Sequence, residues 1–292
     1  MRALYERTGR AMTIGLTGPP GVGKSTLSSA LVRTARAHGK TVGVVSVDPS
    51  SPFSNGAILG DRIRLTEHFT DPDVFIRSMA SRGHLGGLAG ATGDAVAFMD
   101  AFGKDVVAIE TVGVGQSEVE IAELADTTLV CLQPGSGDSI QLLKAGILEV
   151  ADVFVVNKAD HPMAMHLQRE IRSMMEMVNF RGWTPALVLT QANEGKGLTE
   201  LWDAIVAHGE YLRSSGEIER KRRTAFAHRV RALVLGDLER QVNREIAART
   251  AGPLTLDPYE IAHRIVADLR AGRAGSPPAP ERGEARSTVK GL

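Results

Sequence analysis

Three observations predict an α/β fold. Short β-rich apolar runs alternate with helical patterns from residue 12 to about residue 212. A glycine-rich stretch, Gly18-Pro-Pro-Gly-Val-Gly-Lys-Ser25, lies directly between the first apolar run and the first helical pattern. At Ser215 the composition changes to a highly charged segment that opens a long helical repeat. Strands separated by crossover helices build a mostly parallel sheet covered on both faces, and the charged repeat adds a C-terminal helical arm.

The elements follow in order. Strands are expected at 12–17, 41–47, 74–78, 105–110, 127–132, 153–157 and 185–190, with crossover helices at 24–38, 88–102, 163–179 and 197–212. Ligands of such sheets bind at the carboxyl ends of the strands, where the motifs below fall. Beyond Ser215, Phe226, Val230, Leu233, Val234, Leu238, Val242 and Ile246 recur at helical spacing up to about Arg249. Within that helix the cluster Arg220 to Arg223, beside Glu217 and Glu219, reads as a solvated face. Asp257-Pro-Tyr-Glu260 starts another helix: Asp257 suits the N-cap, Pro258 the first helical position and Glu260 the reciprocal capping position. From Gly272 onward Pro, Gly, Ser and charge dominate, which reads as disorder. The expected organisation is a domain over 1–212, a helical arm over 213–270 and a tail over 271–292.

Composition narrows the function classes. With 292 residues, 43% of them hydrophobic, the chain can bury a sizeable core. Lys+Arg and Asp+Glu are equal at 34, so net charge makes no case for nucleic acid or an anionic membrane. The single cysteine, Cys131, excludes an intramolecular disulfide and agrees with a reducing, cytoplasmic setting; its apolar surroundings mark a core thiol. No apolar run reaches about 18 residues, so no transmembrane helix is expected, and the N-terminus has no signal-peptide core.

The glycine-rich stretch carries the chemistry. Between a strand and a helix lies the loop of Pro20, Gly21, Val22 and Gly23, whose glycines let successive backbone N–H groups converge on phosphate oxygens, and the helix N-terminus adds positive charge. Lys24 can reach the β- and γ-phosphates and the Ser25 hydroxyl can ligate Mg²⁺. The fold class is therefore that of a P-loop NTPase. Asn157-Lys-Ala-Asp160 follows the strand ending at Asn157. Asp160 can accept from guanine N1–H and the exocyclic amine, donors that adenine lacks there. Asn157 can tie this loop to the P-loop, and the Lys158 stem can cover the base.

Other strand ends complete the set. Glu110, at the end of 105–110, can hold Mg²⁺ directly or through water, and Asp48 and Asp61 can join that shell. Gly113 permits backbone approach to the γ-phosphate. Where Ras-like proteins have a water-orienting glutamine beside that glycine, this chain has Val114, with Gln116 nearby, which predicts slow intrinsic hydrolysis. Arg77 to Leu88, with two arginines and three glycines, reads as a phosphate-responsive segment or a flexible connection. Gln133-Pro-Gly-Ser-Gly-Asp138, followed by Gln141 and Lys144, reads as a second switch or as a tight turn and helix cap. His84 and His161 stand apart from cysteines and no Cys-x-x-Cys exists, so no transition-metal site is expected. Trp183 and Trp202 read as packing residues.

In combination these motifs resemble one family. Gly18 to Thr26, Asp48 to Phe53 with Ile58-Leu-Gly-Asp-Arg62, Arg77 to Leu88, Glu110-Thr-Val-Gly-Val-Gly-Gln-Ser-Glu118 and Asn157 to Asp160 occur in this order. They resemble the MeaB/ArgK-type family of methylmalonyl-CoA mutase-associated GTPases, over roughly residues 10 to 270. The resemblance implies a homodimeric G-protein chaperone that gates adenosylcobalamin loading and protects or reactivates a cobalamin-dependent acyl-CoA mutase. A cobalamin adenosyltransferase is a further implied partner. Position by position, it implies phosphate binding by Lys24, Ser25 and Thr26, and a Mg²⁺ shell of Ser25, Asp48, Asp61 and Glu110. Asn157, Lys158 and Asp160 would read guanine. Asp138, Gln141 and Lys144 would belong to the family's extra switch and join Lys24 and Glu110 in catalysis, while the C-terminal helices would form a dimerisation arm. Two departures stand out: 17 residues precede Gly18 where members carry a helical extension, and Ser139 follows Asp138 where members more often carry an acid. The alternatives are a nickel or cobalt metallochaperone GTPase, which calls for a Cys/His relay, and a small-molecule kinase, which calls for an acceptor pocket.

Overall fold

The computed structural model describes residues 2–49, 65–81, 89–111, 117–138, 147–180, 182–251 and 257–272. Seven strands, β1 (Met12–Thr17), β2 (Val42–Pro49), β3 (Val74–Ser81), β4 (Val106–Thr111), β5 (Thr127–Leu132), β6 (Val153–Val156) and β7 (Ala186–Leu189), form one sheet in the order β3-β2-β4-β1-β5-β6-β7. Every neighbouring pair is parallel. All seven expected strands exist: β1 and β5 match at both ends, and no end of the others moves by more than three residues. The helices are α1 (Lys24–Ala37), α2 (Ala89–Ala101), α3 (Ser117–Leu124), α4 (Ala164–Glu176), α5 (Leu198–Ser215), α6 (Glu217–Thr250) and α7 (Pro258–Arg270). Sequence periodicity does not anticipate α3, whose eight residues are too few to establish a helical repeat.

Two layers of helix bury the sheet. Leu27, Ala30 and Leu31 of α1, with Leu201, Trp202 and Ile205 of α5, cover Ile14, Leu16, Val44 and Leu129 in one core. On the other face Met99 of α2 packs over Val45, Val47 and Val107, while Leu167 and Ile171 of α4 close over Val130, Phe154 and Val156. These fully buried strands read as continuous apolar runs because both sides are covered.

The chain divides into two compact units, Met1–Ala232 and Leu233–Leu292. In the second, the Asp257 side chain accepts from the Glu260 backbone N–H at 2.9 Å, as the capping pattern predicts. Arg249 bonds Glu245 one turn back and Asp268 of α7 at 2.8 Å, and Ile265 is buried. Sequence positions 271–292, expected to be disordered, lie outside the described residues apart from Ala271 and Gly272.

In the first unit, the amino ends of the strands carry a dense set of closed charge pairs. Asp126 accepts from Thr13 N–H at 3.1 Å and from Arg222 Nη2 at 3.1 Å, and Arg222 also donates to the carbonyls of Gly9 and Ala11. Asp152 accepts from Thr128 N–H at 2.8 Å and Lys221 Nζ at 2.9 Å, and lies 3.2 Å from His208 Nε2. Burial alone would push the Asp152 carboxyl up, but His208 and Lys221 hold it below the usual carboxylate range. These contacts correct the expectation of a solvated basic face. Arg220 and Arg223 are exposed, beside Glu217 and Glu219, but Lys221 and Arg222 turn inward onto carboxylates at strand starts.

Candidate functional site

The carboxyl end of the sheet gathers the loop after β1 with the ends of β4, β5, β6 and β7. Gly18 has φ +137°, and a Cβ there would lie 2.0 Å from the Cys131 carbonyl oxygen of β5. Only glycine fits where the chain turns away this close to a neighbouring strand. Gly23 has φ +90°, and a Cβ there would lie 2.6 Å from Asn157 Nδ2. The loop between them enters α1, whose first amides point back into it.

Within this loop Val22 and Lys24 are buried, while Pro20, Gly21 and Thr26 line its open side. The Lys24 ammonium curls back over the loop and donates to Gly18 O at 2.7 Å and Pro19 O at 2.9 Å. The Ser25 hydroxyl donates to Glu110 Oε1 at 2.5 Å, and both side chains are buried. Glu110 lies near the end of β4, which runs between β1 and β2, in register with Leu16 and Ser46. A hydroxyl and a carboxylate converging at one buried point are a hard-oxygen donor set that fits Mg²⁺.

Three loops are fastened together by Asn157. Its Nδ2 donates to Val22 O at 2.8 Å, and its Oδ1 accepts from Thr190 Oγ1 at 3.1 Å and Ala192 N–H at 3.3 Å. Lys158 adopts φ +58°, the one positive φ outside glycine among the described residues. A bulky residue there stores strain that surrounding contacts must hold. Its Nζ donates to Gly21 O at 2.8 Å and Gln133 Oε1 at 2.5 Å. Asp160 is exposed in the same loop, and its charge, after that of Glu194, raises the pKa of Lys196.

The geometry thus brings together Pro20 to Thr26, Glu110, Asn157 and Lys158, with Asp160 on the adjoining turn. Asp138 is exposed at the far end of the loop after β5, with no hydrogen bond to the P-loop among the described residues. The Asp48 backbone lies one residue from the end of β2, in register with Ala80, while its side chain, Asp61, Gln141 and Lys144 lie outside the described residues, as do Gly113, Val114 and Gln116. Two contributors were not singled out from sequence: Gln133 as a partner of Lys158, and the Thr190–Ala192 turn after β7. A polar Thr-Gln pair closing an apolar strand was the available signal. Cys131 is buried beneath the P-loop, and desolvation pushes its thiol up to about 12. Trp202 is buried and stacks on His38, as a packing residue should.

Comparison with known proteins places this arrangement. The pattern of the family described as "Methylmalonyl Co-A mutase-associated GTPase MeaB" matches residues 1–247. A Pyrococcus abyssi relative is 45% identical over 93% of this chain and 87% of its own. GTPase ArgK of Escherichia coli is 36% identical over 75% of this chain and 68% of its own. The mouse protein named methylmalonic aciduria type A homolog, mitochondrial, is 38% identical over 72% of this chain, which spans 52% of that longer protein. Among solved structures, the LAO/AO transport system kinase superposes with a TM-score of 0.65 at 25% identity, covering 92% of this chain and 85% of its own. HypB of Helicobacter pylori, with a TM-score of 0.51 at 19% identity over 68% of this chain and 86% of its own, shares the fold. The chain belongs to the MeaB family of methylmalonyl-CoA mutase-associated GTPases.

Proposed function

We propose that this chain binds GTP at the carboxyl end of its sheet, hydrolyses it slowly, and uses the cycle to gate adenosylcobalamin loading on, and protect or reactivate, an acyl-CoA mutase. The observation that carries the nucleotide part is the fastening of the Asn157–Asp160 loop to the P-loop through Val22 and Gly21. A base reader and a phosphate cradle joined at two points present one continuous surface to a purine nucleoside triphosphate.

Each residue then has a task. The Lys24 ammonium exchanges the Gly18 and Pro19 carbonyls for β- and γ-phosphate oxygens, and α1 amides complete the cradle. Ser25 and Glu110, with Asp48 and Asp61, would hold Mg²⁺, which would supply charge neutralisation at the phosphates. Asp160 accepts from guanine N1–H and its amine, and Lys158 lies along the base. Asp138, Gln141 and Lys144 form the switch through which a partner assists hydrolysis.

Asp160→Asn tests the base assignment. GTP affinity should fall roughly 10- to 100-fold, as expected for loss of a charge-assisted pair, while xanthosine triphosphate gains. Unchanged GTP affinity would refute the role of Asp160. Hydrolysis without a partner should be slow in single turnover; a rate on the order of ten per second would show that the chain needs no assistance.

The mutase partner rests on the family description and on the name of the mouse relative. Co-purification with a cobalamin-dependent mutase that raises the GTPase rate would support it, and no change in GTPase rate or cofactor retention with cognate mutases would count against it. A homodimer is supported by exposed Val230, Leu233, Val234, Leu238 and Ile246 along α6. Light scattering on the wild type and Leu238→Glu should show a dimer and its dissociation.

A further inference from the structure

The loop that follows β5 is joined to the base-reading loop at two places. Gln133, the first residue after the strand, presents Oε1 to Lys158 Nζ at 2.5 Å. Two residues on, Gly135 has φ +72° and lies under the His161 ring, so that a Cβ there would come within 3.3 Å of His161 Cε1. His161 is itself held at the entrance to α4, where its Nδ1 accepts from Met163 N–H at 3.1 Å. Asp160 sits between these attachments, flanked in sequence by His161 and, two residues earlier, Lys158.

Lys158 has a flexible four-carbon stem and is exposed, so one acceptor leaves its ammonium many equivalent positions. Two acceptors on different loops, Gly21 O and Gln133 Oε1, select one. That choice lays the methylene stem in a single line beside the P-loop. It also means that ordering Lys158 orders the loop holding Gln133.

We propose that Gln133 is a positioning residue of the guanine site, fixing Lys158 across the P-loop and so coupling base occupancy to the segment Gln133–Asp138. The inference rests on the GTP reading above and deepens it. Gln133 acts through the Lys158 ammonium, so its loss should weaken binding and leave chemistry alone.

Gln133→Leu should raise the KM for GTP and the dissociation rate of GDP roughly tenfold, with kcat within about twofold of wild type. Gln133→Glu, which keeps an acceptor at the same reach, should restore both; Gln133→Asn, one methylene shorter, should not. Hydrogen exchange at the amides of 135–138 should slow on GDP binding in the wild type and in Gln133→Glu, but not in Gln133→Leu. If Gln133→Leu does not fold, the Glu and Asn variants, both polar, carry the comparison. Wild-type KM in Gln133→Leu or Gln133→Asn, or a loss confined to kcat and Tm, would overturn the proposal. Failure of the wild type to bind guanine nucleotides would instead overturn the GTP reading on which it stands.

Discussion

The two ends of one sheet handle charge in opposite ways. At the amino ends of β1, β5 and β6, carboxylates meet cations and amides in closed sets: Asp126 with Arg222, Asp152 with Lys221 and His208, and Asp100 with the N–H groups of Gly9, Arg10 and Ala11. At the carboxyl ends, Lys24 and Lys158 donate to main-chain carbonyls of the P-loop. A cation resting on a neutral carbonyl is exchangeable, because a phosphate oxygen offers it a stronger, charge-assisted bond. A cation paired with a buried carboxylate is not, because leaving strands the partner. The difference separates a frame from a site.

Substitutions can break or sharpen that contrast. The largest effect is expected from Lys24→Ala, which should cost about 10²- to 10³-fold in single-turnover GTP hydrolysis while Tm stays near wild type. A Tm collapse there would mean that the carboxyl end is also a frame. Asp152→Ala should do the reverse: about 3 kcal/mol less stability by urea denaturation, with GDP affinity unchanged. The pH response follows from the same carboxyl. Its folded pKa lies below the unfolded value near 4, so its contribution is present above about pH 4 and lost as pH falls through the folded value. Wild type should lose stability more steeply than Asp152→Asn over that acid range, and parallel curves would remove Asp152 from the frame.

Asn157→Ala should fall between the two classes. It frees the buried Val22 carbonyl and the Thr190 hydroxyl, costing about 1–3 kcal/mol in stability and also weakening GDP, as measured by denaturation and nucleotide dissociation. An effect on only one of these would assign it to one class. The smallest change is expected for Arg223→Ala, within about 0.5 kcal/mol, since its pairing with Glu219 is solvent-exposed.

How much of this was legible in the sequence follows the same division. The central strands, buried on both faces, write themselves as apolar runs, and the half-buried edge strands β3 and β7 keep enough apolar residues to be found as well, so that only strand ends moved. The convergence of the P-loop and Asn157–Asp160 was legible because both motifs stand at strand ends, at the spacing that phosphate and base recognition would demand. Lys221 and Arg222 were not distinguishable from Arg220 and Arg223, because nothing in a run of four cations says which two face Asp126 and Asp152. That depends on how α6 is rotated over strand starts far away in sequence. Gln133 and Thr190 escaped for a related reason: each acts through a neighbour on another loop, Lys158 or Asn157, and such pairing has no local pattern. Helix α3 begins inside the motif that starts at Glu110, which takes up Ser117 and Glu118 and leaves six residues to show a helical repeat.

Cys131 gives the molecule an experimental convenience. With its thiol pushed up to about 12 and enclosed beneath the P-loop, thiolate is scarce at neutral pH and out of reach of a reagent. It is the chain's one native cysteine. A second cysteine introduced at exposed Arg223 would therefore take a maleimide dye alone, and the natural protein would serve as its own unlabelled background.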